Sequence, residues 1–134
     1  VNKSYAILKN VVASKVKGKP VILVVPSYES WWISMQRLLE WNKKDGTASN
    51  RIPEEDLRKK LLTSKNLAQG LLAIDGELTK HYSCPELFTL FNTAQSEITA
   101  IERIEYEWTT EFKKPPKWMQ APYPWDWMIE VKKR

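Results

Sequence analysis

A chain of 134 residues carrying a net charge of +5 has the length of one domain, and its charge is too modest to define a function by itself. The single cysteine, Cys84, excludes an internal disulfide framework and fits a reducing compartment or a protein indifferent to redox state. One histidine, with no glycine-rich phosphate loop and no nucleophile elbow, leaves no assembled acid–base set, so the expectation is a protein that is not an enzyme and needs no cofactor.

Residues 2–17, NKSYAILKNVVASKVK, read as a helix with Tyr5, Leu8, Val12 and Val16 on one side, ended by Gly18 and Pro20. A helix this short and this basic orders only on a partner or on the rest of the domain. Its lysines lie in a stretch, residues 1–19, that contains no acid. The start of the chain lacks the apolar region of a secretory signal, and residues 21–25, VILVV, are too few to cross a bilayer, so the protein is expected to be soluble when made. Trapped between Pro20 and Pro26, that β-branched run predicts an extended connector in an apolar groove, with a small sheet as the alternative.

Residues 27–44 restart the helical period through Trp31, Met35 and Leu38, with Ser27 or Ser30 as cap and Asp45-Gly46 as stop. Adjacent tryptophans cannot both face one core, which marks Trp31 or Trp32 for lateral packing on another subunit. After a polar loop, Pro53, Glu54, Glu55 and Asp56 open a helix reaching Asp75, and capping accounts for those three acids. Residues 77–82 form a short connection.

Residues 85–112 carry the longest helical period: Leu87, Phe91, Ala94, Ile98, Ile101, Ile104, Trp108 and Phe112 recur at steps of three and four. The other face is acidic, with Glu97, Glu102, Glu105 and Glu107 against a lone Arg103, and a solvated helix surface explains it. His81 and Cys84 lie close in sequence, but no further His or Cys completes a ligand set, so no metal site is expected. From residue 113 onward, prolines and aromatics predict an extended arm. That arm can fold back over the bundle, dock on a neighbouring subunit, or sit at a lipid interface.

The fold expected is therefore all-α: a four-helix-bundle-like domain over residues 20–112, preceded by a basic N-terminal helix over residues 1–19. An aromatic C-terminal arm over residues 113–134 completes it. Lys3, Lys9, Lys15, Lys17 and Lys19, with Arg37, Lys43, Arg58 and Lys59, are the candidate nucleic-acid contacts, because phosphate binding needs only suitably spaced positive charge. No helix-turn-helix or zinc-finger signature is present, so such binding is expected to ignore base sequence. Trp31, Trp32, Trp118, Tyr123, Trp125 and Trp127 are the candidate subunit or lipid contacts.

In size and element order this layout resembles the major coat proteins of filamentous archaeal viruses, the lipothrixvirus and rudivirus group. The resemblance implies a virion coat subunit that pairs with itself or a paralogous subunit, wraps double-stranded DNA, and in some cases lies beneath a lipid envelope. It also implies that the N-terminal lysines lie against DNA and that the aromatic arm faces neighbours or the envelope. The alternative is a cytoplasmic helical adaptor that binds a protein partner through its aromatic arm, with no nucleic acid involved.

Overall fold

The computed structural model describes residues 17–45, 67–74 and 77–134. Among these the chain forms β1 (Pro20–Pro26), α1 (Tyr28–Asp45), β2 (Leu71–Ile74), β3 (Glu77–Lys80), α2 (Cys84–Phe91), β4 (Ser96–Glu105) and β5 (Trp125–Lys133). The expected all-α bundle is overturned: this is a mixed α/β fold, with a three-stranded antiparallel sheet in the order β1-β5-β4 and a separate β2-β3 hairpin. Of the helices expected among these residues, only α1 keeps its predicted extent. No helix among the described residues is long and apolar enough to cross a membrane.

Several expectations are overturned, among them the short connection over residues 77–82, which holds β3. The connector over residues 21–25 is strand β1, and its bounding prolines are tolerated because β1 is an edge strand of the sheet. The long helix ends at Phe91: Asn92 is its C-cap, residues 92–95 turn, and β4 follows. Residues 125–133, expected as part of the arm, are the central strand β5. The predicted helix running to Asp75 has its first part outside the described residues, while its later part is a 3-10 turn over Leu67–Gln69 and then β2. The N-terminal helix lies outside the described residues, apart from its end at Lys17.

The pleat of β5 alternates buried and half-buried residues along its length. Trp125, Trp127, Ile129 and Val131 point to one side, where Val25 of β1 and Leu87, Leu90 and Phe91 of α2 complete the main core with Tyr82. Leu87 and Ile129 are wholly buried, each worth about 1.5–3 kcal/mol relative to exposure. Opposite that core the sheet is open: Ile22 and Val24 of β1 are 60% and 53% exposed.

A second core lies under the C-terminal half of α1. Leu38 and Trp41 meet Trp108 and Met119, with Phe112, Trp118 and Tyr123 packed around them. The long β4-β5 connection is thus a wrap around α1. Its end is fixed at α1's first turn, where the Trp125 backbone N–H donates to Ser30 Oγ at 2.8 Å.

Candidate functional site

The start of α2 gathers most of the chemistry-bearing side chains. Ser83 and Glu86 stand in capping-box spacing, and Ser83 Oγ accepts from the Glu86 N–H at 3.2 Å. Glu29 of α1 supplies the next acceptor, taking the Cys84 N–H on its Oε2 at 2.9 Å. Burial pushes the Cys84 thiol above its ordinary value, the Glu29 carboxylate adds to the shift, and Arg103 opposes it. A helix N-terminus usually favours a thiolate; here burial and the neighbouring carboxylate favour the protonated thiol instead.

His81 is buried and holds its Nδ1 3.2 Å from the Thr79 carbonyl, which assigns the ring proton to Nδ1. Burial lowers its pKa from the usual 6.5, so the neutral ring is preferred. Lys80 is also buried, and its ammonium donates to Glu86 Oε2 at 2.8 Å and to the Gln69 carbonyl. This pair fastens the β2-β3 hairpin onto α2. Among the described residues no group of three or more His, Cys, Asp or Glu is placed to hold a metal ion. These contacts are structural: the Glu29 and Lys80 side chains tie α2 to α1 and to the β2-β3 hairpin.

Arg103 lies on the core-facing side of β4, its guanidinium 4.1 Å from the Trp125 ring centroid and 5.7 Å from that of Trp127. Cation–π attraction places it there. The sequence marked it only as the one cation among the acids of a presumed helix.

The other charged locus is at the C-terminal end of α1. Lys44 Nζ sits 4.3 Å over the Trp118 ring, and Phe112 packs edge-on against Trp41 one turn earlier, at 5.8 Å. Those two contacts tie Phe112 and Trp118, the residues that flank Lys113, Lys114 and Lys117 in sequence, to the end of α1 that carries Lys43 and Lys44. Glu40 pairs with Lys44 at 3.6 Å and with Arg37 at 3.3 Å. Lys114 occupies left-handed backbone at φ 46°. A helix C-terminus favours cations, and that accounts for Lys43 and Lys44 but not for the three lysines of the wrap.

Compared with protein-family models, curated proteins and solved structures, the chain matches none. The reading of function therefore rests on where the residues lie.

Of the candidate nucleic-acid contacts, Lys3, Lys9, Lys15, Arg58 and Lys59 lie outside the described residues. Lys17 and Lys19 are exposed just before β1, and Lys43 is exposed at the end of α1. Arg37 points inward: its guanidinium donates to the carbonyls of Gln120 and Ala121 at 3.3 and 3.0 Å and stands 5.9 Å over Trp108. Of the candidate interface aromatics, Trp125 and Trp127 are buried in the main core, and Trp118 and Tyr123 are half-buried against the second. Trp31 and Trp32 are half-buried, stacked edge-to-face at 5.1 Å beside Tyr28. Lys113, Lys114 and Lys117 were legible as charges flanking the aromatic stretch, but nothing in the sequence joined them to Lys43 and Lys44.

Proposed function

We propose that the chain is a non-enzymatic binding protein that contacts double-stranded DNA through its phosphates and does not read base sequence. The observation that carries this is the contact of Lys44 with the half-buried Trp118, which ties the end of α1, where Lys43 is exposed, to the segment that carries the exposed Lys114 and Lys117. Phosphate contact asks for closely spaced cations on a firm support, and two packed aromatic anchors provide that support. Polymerisation as a virion coat is one form such a function takes, but the resemblance to filamentous-virus coats rested on a layout of helices this fold does not have. It lends the proposal no support.

A second reading, an adaptor for a protein partner, is favoured by a different observation, the exposed Ile22 and Val24 on the open sheet face. The aromatic C-terminal stretch no longer serves that reading, because Trp125 and Trp127 are spent on the chain's own core. A gel shift with two unrelated duplexes of equal length, run at low and at raised salt, separates the two. Equal binding to both duplexes that weakens steeply with salt supports the DNA reading; no shift at low salt refutes it.

A further inference from the structure

The three-stranded sheet ends in two edges of opposite character. β4 carries Glu97, Glu102, Arg103 and Glu105, with a bulge between Ile98 and Ala100, and both devices keep an edge from pairing with another chain. β1 has neither: from Pro20 to Pro26 no residue is charged, and its register against β5 is unbroken.

The backbone groups that β1 offers follow from its C-terminal end. The Pro26 carbonyl accepts from the Tyr82 N–H at 2.8 Å, and the Tyr28 N–H donates to the Tyr82 carbonyl at 3.0 Å, so the even-numbered positions turn away from β5. Both prolines of the strand are even-numbered, where a missing N–H removes no bond to β5. Alternation then places the N–H and C=O groups of Ile22 and Val24, with the Pro20 carbonyl, on the free edge. Among the described residues the backbone of Tyr82 alone bonds to this edge, and only from Pro26 onward. The exposed Ile22 and Val24 side chains stand beside it on the open face.

A second copy of the chain fits that edge. With a two-fold axis at Ile22, each Ile22 N–H meets the partner's Ile22 carbonyl and each Val24 N–H meets the partner's Pro20 carbonyl. The partner's strand then begins opposite Val24, short of the stretch that Tyr82 occupies. Side chains across the junction are apolar throughout, Ile22 against Ile22 and Val24 against Pro20. Edge pairing also separates like charges: the β5 strands of the two copies, with Asp126 and Glu130, stand three strand spacings apart, about 14 Å. That exceeds the Debye length of about 10 Å at 0.1 M salt.

We infer that two copies of this chain pair antiparallel through β1, joining their sheets into one of six strands in the order β4-β5-β1-β1-β5-β4. Both β1 edges are consumed, and the charged, bulged β4 edges stop further growth, so assembly closes at the dimer. The contact is short and belongs to the weak class of interfaces, so the dimer forms reversibly with concentration. The inference does not depend on the DNA reading, since its test contains no nucleic acid.

The test is sedimentation equilibrium of the full chain, loaded from about 10 to about 500 µM to suit a weak contact. The weight-average mass should rise toward that of a dimer and no further. Val24→Lys puts a charge at the junction and should weaken association at least about tenfold, while the melting curve stays close to the parent's because the side chain is exposed. Ile22→Cys tests the register: facing residues of a hydrogen-bonded antiparallel pair have Cα atoms about 5.5 Å apart, within disulfide reach. Mild oxidation should therefore link Ile22→Cys into a covalent dimer. Val24→Cys, held opposite the partner's Pro20, should link far less, and the parent, whose Cys84 packs against the main core, should not link. A chain that stays monomeric at the highest loading, a mass beyond the dimer, no crosslink at Ile22→Cys, or equal crosslinking at both positions overturns the inference.

Discussion

Arg37 separates a charge that serves the fold from a charge that serves a ligand. Its side chain is 18% exposed and joins α1 to the β4-β5 wrap through the carbonyls of Gln120 and Ala121. Trp108 Nε1 donates to the same Gln120 carbonyl at 3.0 Å, so the wrap is held by two side chains at one point. Hydrogen bonds from a charged donor contribute about 1.5–3 kcal/mol each. One of these is long, and Arg37 Nε is buried without a partner, which keeps the expected loss for Arg37→Met near ~2 kcal/mol. An unfolding entropy of about 2.1 cal/mol/K per residue over 134 residues gives about 0.28 kcal/mol/K, so Tm should fall by about 7 °C. Arg37→Lys is the informative companion: it keeps the charge and loses the planar fork that reaches two carbonyls. Both variants should melt early, followed by circular dichroism, and both should bind duplex as the parent does below their melting points. If Arg37→Lys melted like the parent, or if Arg37→Met kept its stability and lost DNA binding, the placement of Arg37 as a structural tie would be refuted.

The cationic end of α1 gives a salt test: with Lys43, Lys114 and Lys117 each on a phosphate, log affinity should fall with log salt at a slope of about −2.7, or ~40-fold between about 50 and 200 mM. Replacing Lys43, Lys114 and Lys117 with Gln should reduce that slope by about 2.7 in a fluorescence-anisotropy titration; an unchanged slope would remove these residues from the site. Gly70 has φ +69°, and a Cβ there would overlap the His81 carbonyl, which accepts no such approach without moving the hairpin. Gly70→Ala should therefore cost at least about 2 kcal/mol in denaturant unfolding, and a cost under about 0.5 kcal/mol would contradict the close packing. Because burial lowers the folded-state pKa of His81, the unfolded chain takes up its proton first. Its contribution is fully present above about pH 6.5 and is lost as pH falls below that value, by no more than ~1.4 kcal/mol per pH unit. His81→Asn should flatten this part of the stability–pH curve, and an identical curve would show that the ring does not titrate with folding.

How far the sequence could be read is clearest in β4 and β5. Along residues 125–131 the apolar side chains recur at every second position, the signature of a strand packed on one face, yet the prolines before it drew the eye to an extended arm. In β4 the misleading feature is a bulge: the pairing shifts between Ile98 and Ala100, so Ile98 and Ile101 both face the core although three residues apart. With Ile104 a further three along, the run copies the period of a helix. Periodicity alone cannot tell a bulged strand from a helix. The turn over residues 92–95 and the β-branched character of ITAI were the available signals against the helix.

The sequence by itself determined the helix over Tyr28–Asp45, whose period and terminal signals are local, and the start of α2, where proline and a nearby serine act within one turn. It also showed that positive charge is concentrated in residues 1–19 and 113–134. Tertiary structure decided the rest: that β5 is the central strand between β1 and β4, that Arg37 faces inward, and that Lys44 meets Trp118, some seventy residues away in the chain. Those outcomes depend on pairing between segments distant in the chain, and a local pattern of side chains records which face is apolar without recording which strand will meet it.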